Sequence, residues 1–266
     1  MSTRMMARMA LALMIAVGAA TYVSATHAWG NYHWARKSNP FTLKVGDNLS
    51  GTWDPHLTAA VSDWSLSDVL DLTVVTGGTK PRVCKATAGR IEVCNERYGF
   101  TGWLGIAQIW ASGDHITQAI AKMNDSYFNG APYNTPAWRQ LVMCQEIAHD
   151  FGLDHQDEEF DNTNLGTCMD YTSDPTSNQH PNAHDYEELD TIYSHVDSTT
   201  TVGASILPSK MPPAMGQINF DTPGQWGRLV HSSENRRVQV FELDFGNDNR
   251  VITHVFWADS EHDARR

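Results

Sequence analysis

The chain is short of basic residues, with 19 Lys and Arg against 31 Asp and Glu and a formal net charge of −12. A phosphate-binding surface needs clustered Lys and Arg, so this deficit excludes nucleic acid as the expected partner. Cysteine is also scarce, four in 266 residues. No two of them are spaced CxxC, which places zinc ligation by cysteine well below disulfide pairing. Beyond the N-terminal segment no apolar run is long enough to span a bilayer, and no internal repeat or low-complexity tract is visible. What remains is a globular composition, 41% hydrophobic and only 19% charged, with length for one sizeable domain plus an extension or for two small domains.

The N-terminus, MSTRMMARMALALMIAVGAATYVSATHAWG, places Arg4 and Arg8 before an apolar run from Met9 to Ala20. Small residues follow, with cleavage expected after Ala25 or Ala28. This is the pattern of a secretory signal peptide over residues 1–28, and the run is too short for a membrane anchor. The mature protein is expected to be soluble and secreted, extracellular or periplasmic, where cysteines meet an oxidising compartment. Four cysteines allow three connectivities. Cys84 and Cys94 bracket a short polar turn running into a strand, the easy local pairing, which leaves Cys144 with Cys168.

NPFTLKVGDN predicts a strand from Phe41 to Val45, and DPHLTAAVSDWSLS a short helix with Asp54 as N-cap and Pro55 at its first position. VLDLTVVTGG predicts the next strand, so the three suggest a βαβ crossover. RIEVCN, GWLGIAQIWASGD and HITQAIAKMND are further strand candidates, the last equally compatible with a short helix by periodicity. Thr135 and Pro136 open a helix that continues to Gly152, and another is expected over residues 184 to 196. DSTTTVGASILPSKMPPAMG reads as a linker (198–216). The end of the chain, 217–266, alternates around GND as a β-hairpin extension, packed on the main domain (29–197) or forming a small accessory module.

The chemistry concentrates in QEIAHDFGLDH, residues 145–155. On a helix Gln145 and His149 share one face, Glu146 sits beside them, and Gly152 lets the chain return His155 as a further ligand. Two histidines, a third group and an adjacent carboxylate are what metal-assisted hydrolysis needs. The stretch resembles the HExxHxxGxxH motif of the metzincin clan of zinc metallopeptidases, matching at Glu146, His149, Gly152 and His155 and departing at Gln145. CMDYTSDP, 168–175, is similar to that clan's Met-turn, with Met169 beneath the metal. Tyr171 matches the Met-x-Tyr form of astacins and serralysins, in which the tyrosine can ligate zinc and stabilise the tetrahedral intermediate. Gln156 matches neither the serine of matrixins nor the glutamate of astacins at its position.

The resemblance covers about residues 40–196. It implies an α+β fold, a metzincin-like catalytic domain of twisted mixed sheet, active-site helix, Met-turn and C-terminal helix, followed here by the β-hairpin extension. It implies one catalytic zinc held by His149, His155 and Gln145, with Glu146 as general base and acid acting on a peptide or protein substrate. It also implies that the strand in GWLGIAQIW is the edge along which an extended substrate pairs. A Cys144–Cys168 disulfide would pin the site's floor to its wall, and Cys144 as a substitute ligand is a poor reading because it is rotated from His149 by ~140°. A glutamine oxygen is a weaker zinc ligand than imidazole; it can ligate directly, hold a bound water, or mark an empty site. The expected activity is therefore a secreted monomeric metalloendopeptidase, with an inactive binding protein on the same scaffold, or a hydrolase of non-peptide amides or esters, as alternatives. His180 and His184 read as structural or solvent-facing more than as ligands. The acidic run 156–162 reads as a solvated loop more than as a Ca2+ site. Trp53, Trp64, Trp103, Trp110 and Trp138 read as core or cleft wall.

Overall fold

The computed structural model describes residues 27–204, 211–216 and 221–259. The expected signal peptide, apart from His27 and Ala28, lies outside the described residues, as does 205–210 of the expected linker. The described strands are β1 (His33–Trp34), β2 (Phe41–Asn48), β3 (Leu70–Thr76), β4 (Ile91–Glu96), β5 (Trp103–Ser112), β6 (His115–Asn124), β7 (Arg228–Ser232), β8 (Val238–Asp244) and β9 (Asn249–Trp257). The helices are α1 (Asp54–Trp64), α2 (Asp125–Phe128), α3 (Pro136–His149) and α4 (Ala183–Ile192), with three short 3-10 turns. The strands join in one sheet, in the order β3-β2-β4-β6-β5-β9-β8-β7, with β1 added beside β6. β2, β3, β4 and β6 pair in parallel, whereas β5 through β9 pair antiparallel. The fold is therefore α+β with a mixed sheet.

The β2-α1-β3 order gives the expected crossover between parallel neighbours. α1 begins one residue earlier than a cap at Asp54 would require: Trp53 is the cap, with no side-chain hydrogen bond, and Asp54 and Pro55 are the first two helical residues. HITQAIAKMND is strand, because its alternate residues bury on both faces of a central position that a helix could not fill. β5 and β6 are buried almost throughout. On one face Leu104, Ile109, Ala111, Ala119 and Ala121 join α1 and α3 in the main core. On the other face Trp103, Ile106, Trp110 and Ile120 pack against Met211, Met215 and Trp226, so the described part of the expected linker covers the sheet instead of spanning solvent. The five tryptophans singled out above are all buried.

The tail changes the topology expected around the site. β9 pairs with β5 from Trp103 to Ser112, so β5 is flanked on both sides and is not a free edge for substrate. The correction has a physical cause. NRVITHVFW carries apolar residues at both parities, so β9 buries both faces and takes an interior position in the sheet. Both disulfides are present, Cys84–Cys94 and Cys144–Cys168. Among the described residues no helix is long and apolar enough to cross a membrane.

Candidate functional site

α3 starts where the Thr135 hydroxyl accepts a hydrogen bond from the Trp138 amide, and it lies across the small residues of the sheet. Gly105 is the contact point. A Cβ there would lie 2.2 Å from the Glu146 Oε1 and 2.6 Å from Val142, so only glycine lets the carboxylate seat against the strand. The helix ends at His149 with Asp150 as its C-cap, short of the expected Gly152, and the chain turns at Gly152, where φ is +101° and a Cβ would come within 2.2 Å of the Tyr32 carbonyl. The chain then reverses and is stitched to the 168–171 segment by Gln156 N to Met169 O (2.7 Å) and Tyr171 N to Asp157 O (3.1 Å). Met169 is buried in the core there.

This path brings His149, His155 and Tyr171 together. The His149 and His155 ring centroids are 4.5 Å apart, and the Tyr171 hydroxyl lies 2.6 Å from His155 Nε2. His149 donates its Nδ1–H to the Leu153 carbonyl at 2.8 Å, which leaves Nε2 as its lone-pair nitrogen. His155 Nδ1 faces Asp154 at 3.1 Å and Glu158 at 3.5 Å. Carboxylates behind an imidazole fix its tautomer and increase its basicity, as they do behind metal-ligating histidines. Glu158 is in turn held by His231 of β7 at 2.8 Å.

Gln145 lies on the same face, but its Nε2 donates to the Cys168 carbonyl at 2.9 Å. The residue that sequence reasoning missed is His254. It projects from β9 on the same face as Ile252 and Phe256 and stacks on His149 with ring centroids 4.2 Å apart and planes 15° apart; His155 lies 6.2 Å away. Its one sequence signal is an imidazole between two apolar residues of the buried parity in RVITHVFW. The side chains of Gln145, Glu146, His149, His155, Tyr171 and His254 are all buried.

The donor set fits a divalent cation on observations of the side chains themselves. Gln145 Oε1, both Glu146 oxygens and both His254 nitrogens are buried without a hydrogen-bond partner. Polar atoms left so cost roughly 1–3 kcal/mol each, and the Gln145 oxygen beside the His149 and His155 rings is a donor set that a metal ion with its water would satisfy. The His254 ring lies face to face on His149, so its lone pair does not aim at the same point. Burial pushes the Glu146 carboxyl well up and the His149 imidazole well down, with His254 and His155 adding to the latter. Burial likewise takes His254 down to about 3. For His155 burial acts downward, but Asp154 and Glu158 outweigh it and the net shift is upward.

The remaining histidines and acids have other partners. His180 Nδ1 pairs with Asp63 at 2.7 Å, and His184 stacks on His27. In the acidic loop Asp157 accepts from the Glu159 amide and from Asn162, so its oxygens are engaged within the loop. Cys144 is committed to its disulfide and is no ligand.

No family model matches the chain, and no curated protein matches it. Among solved structures it is similar to myroilysin, with a TM-score of 0.34 and 12% identity over 60% of this chain and 86% of that one. It is also similar to high choriolytic enzyme 1, a hatching-enzyme zinc-protease from the medaka fish Oryzias latipes, with a TM-score of 0.34 and 12% identity over 61% of this chain and 94% of that one. Likeness at that level decides nothing about activity, which must be read from the side chains.

Proposed function

We propose that the chain is an exported zinc-dependent endopeptidase in which His149, His155 and Gln145 hold the metal and Glu146 moves the proton. The observation that carries this reading is the buried cluster in which two imidazoles, an unpartnered glutamine oxygen and an unpartnered carboxylate meet. When bound, the metal supplies Lewis acidity and lowers the pKa of a coordinated water. Glu146, held against Gly105 and in the field of that cation, takes the water's proton and delivers it to the leaving amine. Tyr171 keeps its proton, since burial and then Glu146 push its pKa well up. Its hydroxyl can therefore donate to the developing oxyanion. His155 is oriented by Asp154 and Glu158. Gln145 ties the helix to the Cys168 carbonyl through its Nε2 and leaves its Oε1 as the atom that would serve as third ligand, and His254 stacks on His149 and holds its ring in place. Two disulfides support export.

One observation favours a second reading. β9 covers β5 along its whole length, and Glu146 is almost fully buried, so a peptide reaches the site only if the tail strands shift. A non-catalytic protein on the same scaffold would need no such motion. Hydrolysis of a peptide library by the zinc-loaded chain, lost in Glu146→Gln while zinc is retained, supports the endopeptidase. Stoichiometric zinc with no hydrolysis by the wild type supports the second reading.

A further inference from the structure

A second group of imidazoles lies apart from α3. His33 of β1, His115 at the start of β6, and His195 and Asp197 just after α4 come from three distant parts of the chain, yet their tips converge. Around the Asp197 Oδ1 stand His115 Nε2 at 3.2 Å, His33 Nε2 at 3.4 Å and His195 Nε2 at 3.8 Å. His195 Nε2 is 3.2 Å from His33 Nε2. A tetrahedron with metal–ligand bonds of 2.0–2.1 Å has edges of about 3.3 Å, so three of these four separations match it and the fourth needs a small rotation of an exposed side chain. The cluster opens on a cleft to which Asp114 and Glu188 add negative charge.

The hydrogen bonding shows why a proton network is a poor substitute. His33 Nδ1 lies 2.7 Å from the Asn31 carbonyl, which can only accept, so that nitrogen carries the hydrogen. In the neutral ring Nε2 then points a lone pair at the Asp197 oxygen, and two lone pairs 3.4 Å apart repel unless a cation lies between them. Asp197 is itself positioned: its other oxygen accepts from the Arg36 amide and guanidinium, both at 3.1 Å. The buried Arg36 is fixed by the Tyr193 carbonyl at 2.8 Å. A carboxylate with one oxygen anchored and one turned to three imidazoles is the pattern of an oriented metal ligand.

We propose that His33, His115 and Asp197 form a second divalent-metal site, of the zinc class by its imidazole and carboxylate donors, with His195 at its edge. Its ligands come from β1, the start of β6 and the chain after α4, so the site clamps the N-terminal segment and the chain after α4 to the start of β6. The test is zinc content by elemental analysis of the untagged full chain after zinc loading and removal of free metal, with a thermal melt to verify folding. The expected result is two zinc ions per wild-type chain and one in a His115→Gln/His195→Gln variant, whose exposed positions leave the core intact. The melt of that variant should also lose part of the chelator-induced drop in Tm seen in the wild type. His149→Ala reports the first site separately. A single zinc lost only in the His115/His195 variant would support this site and remove the metal from the proposed active site. A single zinc lost only in His149→Ala, or an unchanged zinc count in the double variant, would overturn it. No zinc in the wild type would overturn both.

Discussion

The two histidine clusters are built on opposite plans. At the first, three imidazoles, a glutamine oxygen and an unpaired carboxylate are buried against the sheet, with carboxylates placed behind one ring and not among the ligands. At the second, the carboxylate stands among the imidazoles, its far oxygen is tied to Arg36, and two of the three rings reach the surface. A site meant to work on a water needs a spare base and a vacant position; a site meant to clamp the chain uses its carboxylate as a ligand. The difference teaches that burial alone does not mark the reactive cluster; where the carboxylate stands relative to the imidazoles does.

The largest expected effect separates the clusters by chemistry. Glu146→Gln should lower peptide hydrolysis by about 10²- to 10⁴-fold, the usual span for a positioned acid-base group, while zinc content stays unchanged. A steady-state assay beside elemental analysis measures both. Removing the Cys144–Cys168 bridge by a double alanine substitution should lower stability by about 2–4 kcal/mol, read as a fall in Tm. It should also loosen Gln145, whose amide is held by the Cys168 carbonyl.

These positions show where the sequence was readable. Glu146, His149, Gly152 and His155 follow from helical spacing and a glycine stop, because ligands carried by one helix and its next turn are local geometry. The strands β2 to β5, α3 and α4 were readable from alternation and caps for the same reason, and β6 only as strand or short helix. His254 was not, since its place depends on β9 inserting beside β5, a pairing between residues far apart that no local pattern encodes. The second cluster was hidden likewise: His33, His115 and His195 are ordinary single histidines until the sheet assembles. The free edge expected at β5 failed for the same cause, because an edge strand and an interior one differ only in what a distant segment does.

A smaller effect sharpens the first site. Gly105→Ala should cost about 1–3 kcal/mol by overpacking and should lower hydrolysis, because its Cβ would displace the Glu146 carboxylate. Denaturant melts and kinetics measure the two parts. The smallest effect is the pH dependence of the chelated protein. His254 stays neutral in the fold down to about 3, whereas in the unfolded chain it takes a proton near 6.5. Stability should therefore fall as pH drops from about 6.5 toward 3, by up to about 1.4 kcal/mol per pH unit for that group. His254→Gln should flatten the slope of chemical-denaturation stability against pH in that window.

The most direct test of the account is anomalous diffraction at the zinc edge from crystals of the zinc-loaded chain. The account predicts a peak bounded by Gln145, His149 and His155, with Glu146 beside it. A zinc found only away from His149 and His155, or no peak among these side chains, would contradict it.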